Sequence, residues 1–348
     1  MKLDLHTHIL PMNWPDWTKR SGYAGWIELA HERPGCAQMM QTTRNPDGSH
    51  GKKSVRKVGA NCWDIAVRLD EMHATGVTFQ ALSTVPVMFS YWAKISDALD
   101  LSRLLNDHIA GICHEHPSKF GGLGTVPLQD PQAACKELDR CLDELKLVGV
   151  QVGTNVNGTN LGEPSLRPFF EHASKRGAAI FVHPWDMLGA DRCNKYWAPW
   201  LVGMPAETCL AITSAIFSGM LDSCCGARWC FAHGGGSFPG TLGRIQHGFE
   251  ARPDLCAVDN PNSPRSYLAD KASNKSAKFW VDSLTHDPGA LRLLIDIMGT
   301  NRIVLGSDYP FPLGEAHPGK MIEEMTDLSE IAREDLFFRS AKAFLGYT

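Results

Sequence analysis

Several features that would place this chain in a membrane, on a nucleic acid or outside the cell are missing from its sequence. It opens Met-Lys-Leu-Asp-Leu-His, with an acid at Asp4 and no apolar segment behind it, so we expect no secretory signal. We expect that no stretch approaches the roughly 18 apolar residues of a membrane span. The 34 Lys and Arg do not outnumber the 38 Asp and Glu, which argues against a nucleic acid or a membrane surface as a partner.

The 11 cysteines form no C-x-x-C pair, and their number is odd. This pattern does not fit a disulfide framework. A structural zinc cluster at the densest group is also disfavoured, because adjacent cysteines rarely chelate one ion tetrahedrally; that group is Cys224, Cys225 and Cys230. We therefore expect reduced, mostly buried thiols in a cytoplasmic protein.

The composition is that of a globular protein, with 43% hydrophobic residues, 21% charged residues and a net charge of -4. A length of 348 residues suits either two domains or a single α/β barrel. Short β-type runs alternate with amphipathic helical runs along most of the chain. A stretch rich in Trp, Gly and Pro at about 11–63 has no clean hydrophobic period. We interpret residues 1–348 as one domain with an insertion at about 11–63, after the first strand.

Eight β-type runs are predicted as strands, at Leu3–Leu5, Val77–Leu82, Phe120–Val126, Val148–Val152, Ala179–His183, Arg228–His233, Lys278–Asp282 and Arg302–Asp308. The helical runs between them predict parallel pairing, because parallel strands need long crossover connections. No G-x-G-x-x-G motif follows any of these strands, which disfavours a doubly wound open sheet. The predicted fold is a (β/α)8 TIM barrel.

Metal-ligating residue types stand at four of the predicted strand ends, and these are His6, His8, His183, His233 and Asp308. In a (β/α)8 barrel the C-terminal strand ends form one rim, where the chemistry takes place. Side chains two positions apart on a strand point to the same face, so His6 and His8 can both aim into this rim. Three imidazoles and a carboxylate are typical of a catalytic Zn²⁺ site. The residues alone do not decide whether His183 or His233 completes the ligand set.

A second His-x-His pair shows that strand context, and not spacing, carries this inference. His114 and His116 have the same spacing but lie at the end of a predicted helix, before Pro117. On a helix, positions two apart diverge by about 200°, so these two imidazoles cannot chelate one ion. The alternative for the strand-end residues is a hydrogen-bonded polar core without an ion, which would be costly to bury.

Two arginines are candidates for binding an anionic substrate. Arg56 lies in the insertion, near its return to the barrel, and Arg244 lies 11 residues after His233. A guanidinium can bind a carboxylate through two parallel hydrogen bonds. From the residues alone, a surface salt bridge is the simpler interpretation of both arginines.

Motifs spread over nearly the whole chain resemble the amidohydrolase superfamily, and within it the zinc-dependent decarboxylase branch of tryptophan degradation. These motifs are His6-x-His8, Asn-Cys-Trp-Asp64, Thr-Val-Pro-Val-Met88-Phe89, His183-Pro-Trp-Asp, Pro-Trp-Leu-Val-Gly-Met-Pro-Ala-Glu207, Ala-His233-Gly-Gly-Gly and Gly-Ser-Asp308-Tyr-Pro-Phe-Pro-Leu-Gly-Glu.

The resemblance implies one Zn²⁺ per chain, held by His6, His8, His183 and Asp308. It implies that His233 is not a ligand but a catalytic acid/base beside the metal, and that Asp308 also takes part in proton transfer. Many members of the superfamily carry a carboxylated lysine that bridges two metals at the end of strand four. Here that strand ends Gly-Val-Gln-Val-Gly-Thr, without a lysine, so a single metal is expected.

The resemblance also implies the reaction and the assembly. The expected substrate is a small dicarboxylate semialdehyde of the kynurenine pathway, whose non-hydrolytic decarboxylation limits the formation of quinolinate and NAD. Arg56 and Arg244 are implied to bind its carboxylates, with Arg244 contributed across the interface of a homodimer. A mononuclear zinc hydrolase of the same barrel family, acting on a lactone or an amide, is the alternative function. A further alternative is a zinc-binding scaffold without catalytic activity.

Overall fold

Eight short parallel strands line the centre of the computed structural model, which describes residues 1–347. They are β1 (Leu3–Ile9), β2 (Phe79–Thr84), β3 (Phe120–Gly122), β4 (Gly149–Gly153), β5 (Ala179–His183), β6 (Arg228–Phe231), β7 (Trp280–Asp282) and β8 (Ile303–Val304). The first three strands form one parallel sheet, and the other five form a second parallel sheet, each in chain order.

Backbone hydrogen bonds join the two sheets at both edges. Between β3 and β4, the backbone N–H of Gly124 donates to the carbonyl of Gly149 (2.9 Å). Between β1 and β8, the N–H of His8 donates to the carbonyl of Tyr309 (2.7 Å). A parallel bridge accompanies each of these contacts. The eight strands therefore form a closed ring, which confirms the predicted (β/α)8 fold.

Helices connect the strands, and residues typical of helix caps stand at several of their ends. Asp130 caps the helix that begins at Pro131, between β3 and β4. Gly76 adopts a left-handed conformation (φ 72°) immediately after another helix, where a residue with a Cβ would be strained. The α-helices are Trp17–Ser21, Ile65–Thr75, Ile95–Glu115, Pro131–Asp143, Arg167–Lys175, Met204–Phe217, Met220–Ser223, Phe238–Ala251, Pro253–Cys256, Pro288–Met298, Lys320–Glu324, Glu330–Glu334 and Ser340–Leu345.

The insertion contains regular structure that its sequence does not reveal. Strands Ile27–Arg33, Cys36–Arg44 and His50–Gly59 form an antiparallel sheet, preceded by the short helix Trp17–Ser21. Most side chains of the third strand are exposed or half-buried, so its hydrophobic alternation is weak. One face of the sheet packs on the barrel through an apolar cluster that includes Trp26, Met39, Val58, Met88 and Leu101.

Three strands end earlier than predicted, and this places two polar residues of the rim, His233 and Asp308, beyond the strands. The third strand ends at Gly122 rather than Val126. The sixth and eighth strands end before His233 and Asp308, and both of these residues adopt a φ of 56°. A left-handed residue cannot continue a parallel ladder, so the chain leaves the ring at these two positions.

One helical stretch, Pro199–Phe217, is long and apolar enough to cross a membrane by length and composition alone. The expectation that no segment reaches this length was therefore wrong. Four apolar residues of the stretch are buried in the core around the barrel, namely Ala211, Ile212, Ala215 and Ile216. Such a composition is also that of a helix packed inside a protein.

The 11 cysteines are unpaired, but fewer are buried than expected. Five are buried, five are half-buried, and Cys225 is exposed. The half-buried cysteines lie mainly on helix faces at the edge of the core, as Cys113 and Cys135 do.

Candidate metal centre

Four side chains converge at the C-terminal rim of the barrel. His6 and His8 lie on β1, His183 ends β5, and Asp308 lies on the loop after β8. One ligand atom from each of the four lies within 4.8 Å of the others, and all four residues are buried. Asp308 Oδ1 is 3.0 Å from His8 Nε2 and 3.5 Å from His6 Nε2. The structure thus brings together the four residues that the family resemblance implies as ligands.

Hydrogen bonds on the far side of two imidazoles orient the ring nitrogens that face the centre. Nδ1 of His8 donates to the carbonyl of Thr84 (2.9 Å), and Nδ1 of His183 donates to the carbonyl of Pro184 (3.0 Å). In a neutral imidazole the other nitrogen, Nε2, then carries a lone pair. The Nε2 atoms of His6, His8 and His183 are buried and have no hydrogen-bond partner among residues 1–347.

Buried lone pairs that face one another are unfavourable unless a cation lies between them. His8 Nε2 and Asp308 Oδ1 are 3.0 Å apart, and with Nδ1 of His8 already donating to a carbonyl, both facing atoms are acceptors. Leaving such atoms unsatisfied in the protein interior costs free energy. Three imidazole nitrogens and one carboxylate oxygen are the donor set of a mononuclear divalent-metal site. The residues present therefore fit a divalent metal ion.

Asp282 orients the third imidazole, and the sequence analysis missed this role. Its Oδ2 accepts hydrogen bonds from His6 Nδ1 (2.7 Å) and from the backbone N–H of His233 (2.9 Å). Its Oδ1 accepts from the N–H groups of Gly234 (2.7 Å) and Leu284 (3.1 Å). Burial opposes its ionisation, but these hydrogen bonds hold the pKa of Asp282 below its usual value. The sequence did offer one signal for this role, because Asp282 stands at the end of the seventh predicted strand.

The electrostatics of the cluster favour neutral His8 and His183 beside an ionised carboxylate, whereas at His6 burial is outweighed by the contacts with Asp282 and Asp308, which raise its pKa. Burial and the neighbouring His233 and His6 hold the pKa of His183 well below its usual value. Burial opposes the ionisation of Asp308, but its contacts with His8 and His6 hold its pKa well below its usual range. Neutral imidazoles and carboxylates are the protonation states that bind metals.

His233 lies beside the four converging side chains and is not one of them. Its Nε2 is 4.0 Å from Asp308 Oδ2, and its ring centroid is 5.0 Å from that of His183. Burial, followed by the nearby His6, lowers the pKa of His233 to about 4. At neutral pH this imidazole is therefore uncharged and able to accept a proton. The geometry separates His233 from His183, which the residues alone could not do.

Arg56 reaches the metal centre from the insertion sheet. It lines a small cavity of about 30 Å³ together with His8, His183 and Asp308. Its guanidinium carbon lies 4.5 Å from the ring centroid of Phe311, and aromatic contact of this kind stabilises a cation. No carboxylate within residues 1–347 lies within salt-bridge distance of Arg56, so the surface salt bridge considered from the sequence is not formed.

Arg244 is not brought to the centre by its own chain. It is exposed on the helix Phe238–Ala251. A larger cavity of about 460 Å³ opens beside His233 and Asp308 and is lined by Thr241 of the same helix, but within residues 1–347 Arg244 lines neither this cavity nor the smaller one. Within the described chain, Arg244 thus lies one helical turn from the larger cavity without lining it.

Known proteins similar to this chain include several decarboxylases. Residues 3–347 match a family model described as amidohydrolase. The chain is 54% identical to 2-amino-3-carboxymuconate-6-semialdehyde decarboxylase of Dictyostelium discoideum, over 99% of this chain and 92% of that protein. It is 37% identical to the protein of the same name from Caenorhabditis elegans, over 99% and 94% of the two chains. A solved 5-carboxyvanillate decarboxylase from Novosphingobium aromaticivorans, complexed with manganese and 4-hydroxy-3-methoxy-5-nitrobenzoic acid, has a TM-score of 0.72 at 22% identity, over 82% of this chain and 81% of that chain.

The Asp282 contacts predict a loss of metal affinity when its charge is removed. Asp282→Asn replaces one acceptor oxygen with an NH2 group, which cannot accept from both His6 and the backbone. We expect metal affinity to fall by about 10–100-fold, the usual effect of losing such an outer partner. Competition with a chelator measures this change. Asp222→Asn, which alters an acid bonded to Tyr267 and Lys278 on the outer surface, is the matched control. Equal affinities in the two variants would contradict the assignment.

Proposed function

This chain belongs to the amidohydrolase family, and on that premise we propose that it is a zinc-dependent carboxy-lyase. The proposed reaction converts 2-amino-3-carboxymuconate 6-semialdehyde to 2-aminomuconate 6-semialdehyde and CO2, in the kynurenine pathway. The identity of 54% to the Dictyostelium decarboxylase supports this substrate. The observation that carries the proposal is the unpaired Arg56 guanidinium beside a buried cluster of three imidazoles and a carboxylate. This arrangement suits a metal-dependent reaction on a carboxylate.

The ligands proposed for zinc are the four residues whose donor atoms converge, namely His6, His8, His183 and Asp308. Among the residues that the structure describes, this is one group per chain, which supports one metal per chain. When bound, a divalent metal supplies Lewis acidity, which makes water a better nucleophile at neutral pH. Zinc is proposed over other divalent ions because a site rich in neutral imidazole with one carboxylate is typical of it.

Arg56 is proposed to hold a substrate carboxylate. Burial lowers its pKa, but a guanidinium starts so high that it stays protonated at neutral pH. Its stacking on Phe311 fixes the plane of the guanidinium and leaves its N–H groups free for a bidentate contact. A carboxylate held in this way orients the substrate toward the side chains of the rim.

His233 is proposed to move the proton that decarboxylation requires. Direct loss of CO2 from a vinylic carbon leaves a carbanion whose negative charge is not delocalised. A proton must therefore reach that carbon. A neutral His233 can take a proton from a water whose oxygen adds to the neighbouring carbon, and can deliver that proton to the carbon that bears the carboxylate. Loss of CO2 then re-forms the carbon–carbon double bond and expels the added hydroxide. Asp308 Oδ2 lies 4.0 Å from His233 Nε2, beyond direct hydrogen-bond distance, and is proposed to share in this transfer through one bridging water.

A homodimer is proposed as the active unit, with Arg244 of one chain reaching the centre of the other. The support is that Arg244 is exposed near the larger cavity but does not line it in its own chain. We also propose a cytoplasmic location, supported by 11 unpaired cysteines, which are typical of a reducing compartment.

The proposed activity is tested by supplying 2-amino-3-carboxymuconate 6-semialdehyde to the zinc-loaded protein. We expect loss of substrate absorbance with one CO2 released per molecule consumed. His233→Ala should retain its metal and lose most turnover, because its ring is not among the converging ligand atoms. Turnover of a lactone without CO2 would instead establish the alternative hydrolase, and metal loss in His233→Ala would show that the role of this histidine is wrong.

The shared site is tested by mixing two inactive variants. Arg56→Ala and Arg244→Ala should each abolish most activity, because each removes one carboxylate contact. In a mixed dimer one of the two centres keeps both arginines, so mixing the variants should restore part of the activity. Verified mixed dimers that remain inactive would contradict a site built from two chains.

A further inference from the structure

The barrel closes at the junction between β1 and β8, and three of the four converging ligands lie on the two sides of this junction. His6 and His8 lie on β1, and Asp308 follows β8. These two strands are not paired as a continuous ladder. One parallel bridge, between Thr7 and Tyr309, and two backbone hydrogen bonds, from Leu5 N–H to the carbonyl of Leu305 (2.8 Å) and from His8 N–H to the carbonyl of Tyr309 (2.7 Å), join them. The other pairs within each sheet have at least two paired positions. The backbone thus links His8 to the neighbour of Asp308 through one hydrogen bond, from His8 N–H to the carbonyl of Tyr309, and side-chain contacts add to it at this junction.

Arg68 supplies side-chain contacts at this junction. It lies on the helix Ile65–Thr75 and is fully buried. Its Nη2 donates to the carbonyl of His8 and to the carbonyl of Asn61 (3.1 Å), and its Nη1 donates to Gln80 Oε1 (3.1 Å). The guanidinium thus connects the end of β1 to β2 and to the return of the insertion.

Tyr309 extends these contacts to the other side of the junction. The guanidinium carbon of Arg68 lies 4.7 Å from the centre of the Tyr309 ring. Tyr309 Oη donates to Glu71 Oε2 (2.7 Å), and Asn61 Nδ2 donates to the same oxygen (3.1 Å). Tyr309 directly follows Asp308, so the position of its ring restrains the loop that presents this ligand.

We propose that Arg68 and Tyr309 are positioning residues that fix Asp308 relative to His8 and thereby set the geometry of the metal site. Arg68 contacts the backbone of His8, and its guanidinium lies over the ring of Tyr309, which directly follows Asp308. This inference rests on the metal centre of the proposed function, but not on its substrate or reaction.

The chemistry of Arg68 argues against a purely space-filling role. Among residues 1–347 no carboxylate lies within salt-bridge distance of this buried cation, and its Nε has no hydrogen-bond partner. A hydrophobic residue of similar size would fill the same space without the cost of burying a charge. Arg140, in contrast, forms ion pairs with Glu137 and Asp107 in the outer helical layer.

The test compares metal binding among three variants of the full chain. Arg68→Lys keeps the charge but loses the planar stack and the two-carbonyl contact, and Tyr309→Leu removes the ring without changing the hydrogen bonds of Arg68. Arg140→Lys is the control, because it makes the same arginine-to-lysine change away from the metal centre. Each protein is loaded with Co²⁺, and three quantities are measured: the Kd by chelator competition, the visible absorption spectrum, and the thermal midpoint of the metal-free protein.

We expect both junction variants to bind Co²⁺ about 10-fold more weakly or worse, with shifted absorption bands. Arg140→Lys should lower the thermal midpoint but keep the wild-type Kd and spectrum. The proposal would be overturned if Arg68→Lys and Tyr309→Leu both kept the wild-type Kd and spectrum. If Arg68→Lys does not fold, the Kd and spectrum of Tyr309→Leu alone test the proposal. A wild-type protein that binds no Co²⁺ would overturn it together with the metal centre. A protein that binds Co²⁺ but does not decarboxylate would refute only the proposed function.

Discussion

Three imidazole nitrogens with no hydrogen-bond partner face one ionised carboxylate in the interior of this protein, and a cation is the group that can satisfy all of them. Within the described chain, each of the three rings is held from behind, by Asp282, by the carbonyl of Thr84 or by the carbonyl of Pro184. These contacts direct the lone pairs inward before any ion arrives. The protein therefore offers the metal a preorganised site, and the reactivity of the rim depends on that preorganisation.

The barrel and its insertion contribute different parts of the centre. The closed ring supplies ligands from strands that are far apart in sequence, because parallel strands end at one rim. The insertion supplies Arg56, a cation that stacks on Phe311 and faces the ligands without a carboxylate partner of its own. The four converging side chains and Arg56 thus come from separate segments of the chain.

The residues were sufficient to predict the barrel and the rim where polar side chains converge, but the choice of His183 over His233 came from the family resemblance. The alternation of strands and helices is regular after residue 63, and His6, His8 and His183 lie within or at the end of well-formed strands. The insertion sheet was missed because its third strand is largely exposed and has little hydrophobic alternation. The turn of the chain at His233 and Asp308 depends on tertiary contacts, so local pattern could not locate it. Asp282 and Arg68 act through other residues, and only the folded structure reveals their contacts.

X-ray absorption at the zinc edge of the purified protein tests most directly whether the four residues hold one ion. The account predicts about one zinc per chain, with nitrogen and oxygen ligands at about 2.0–2.1 Å and the scattering pattern of several imidazoles. A protein without metal, with two metals per chain, or with sulfur ligands at about 2.3 Å would contradict it.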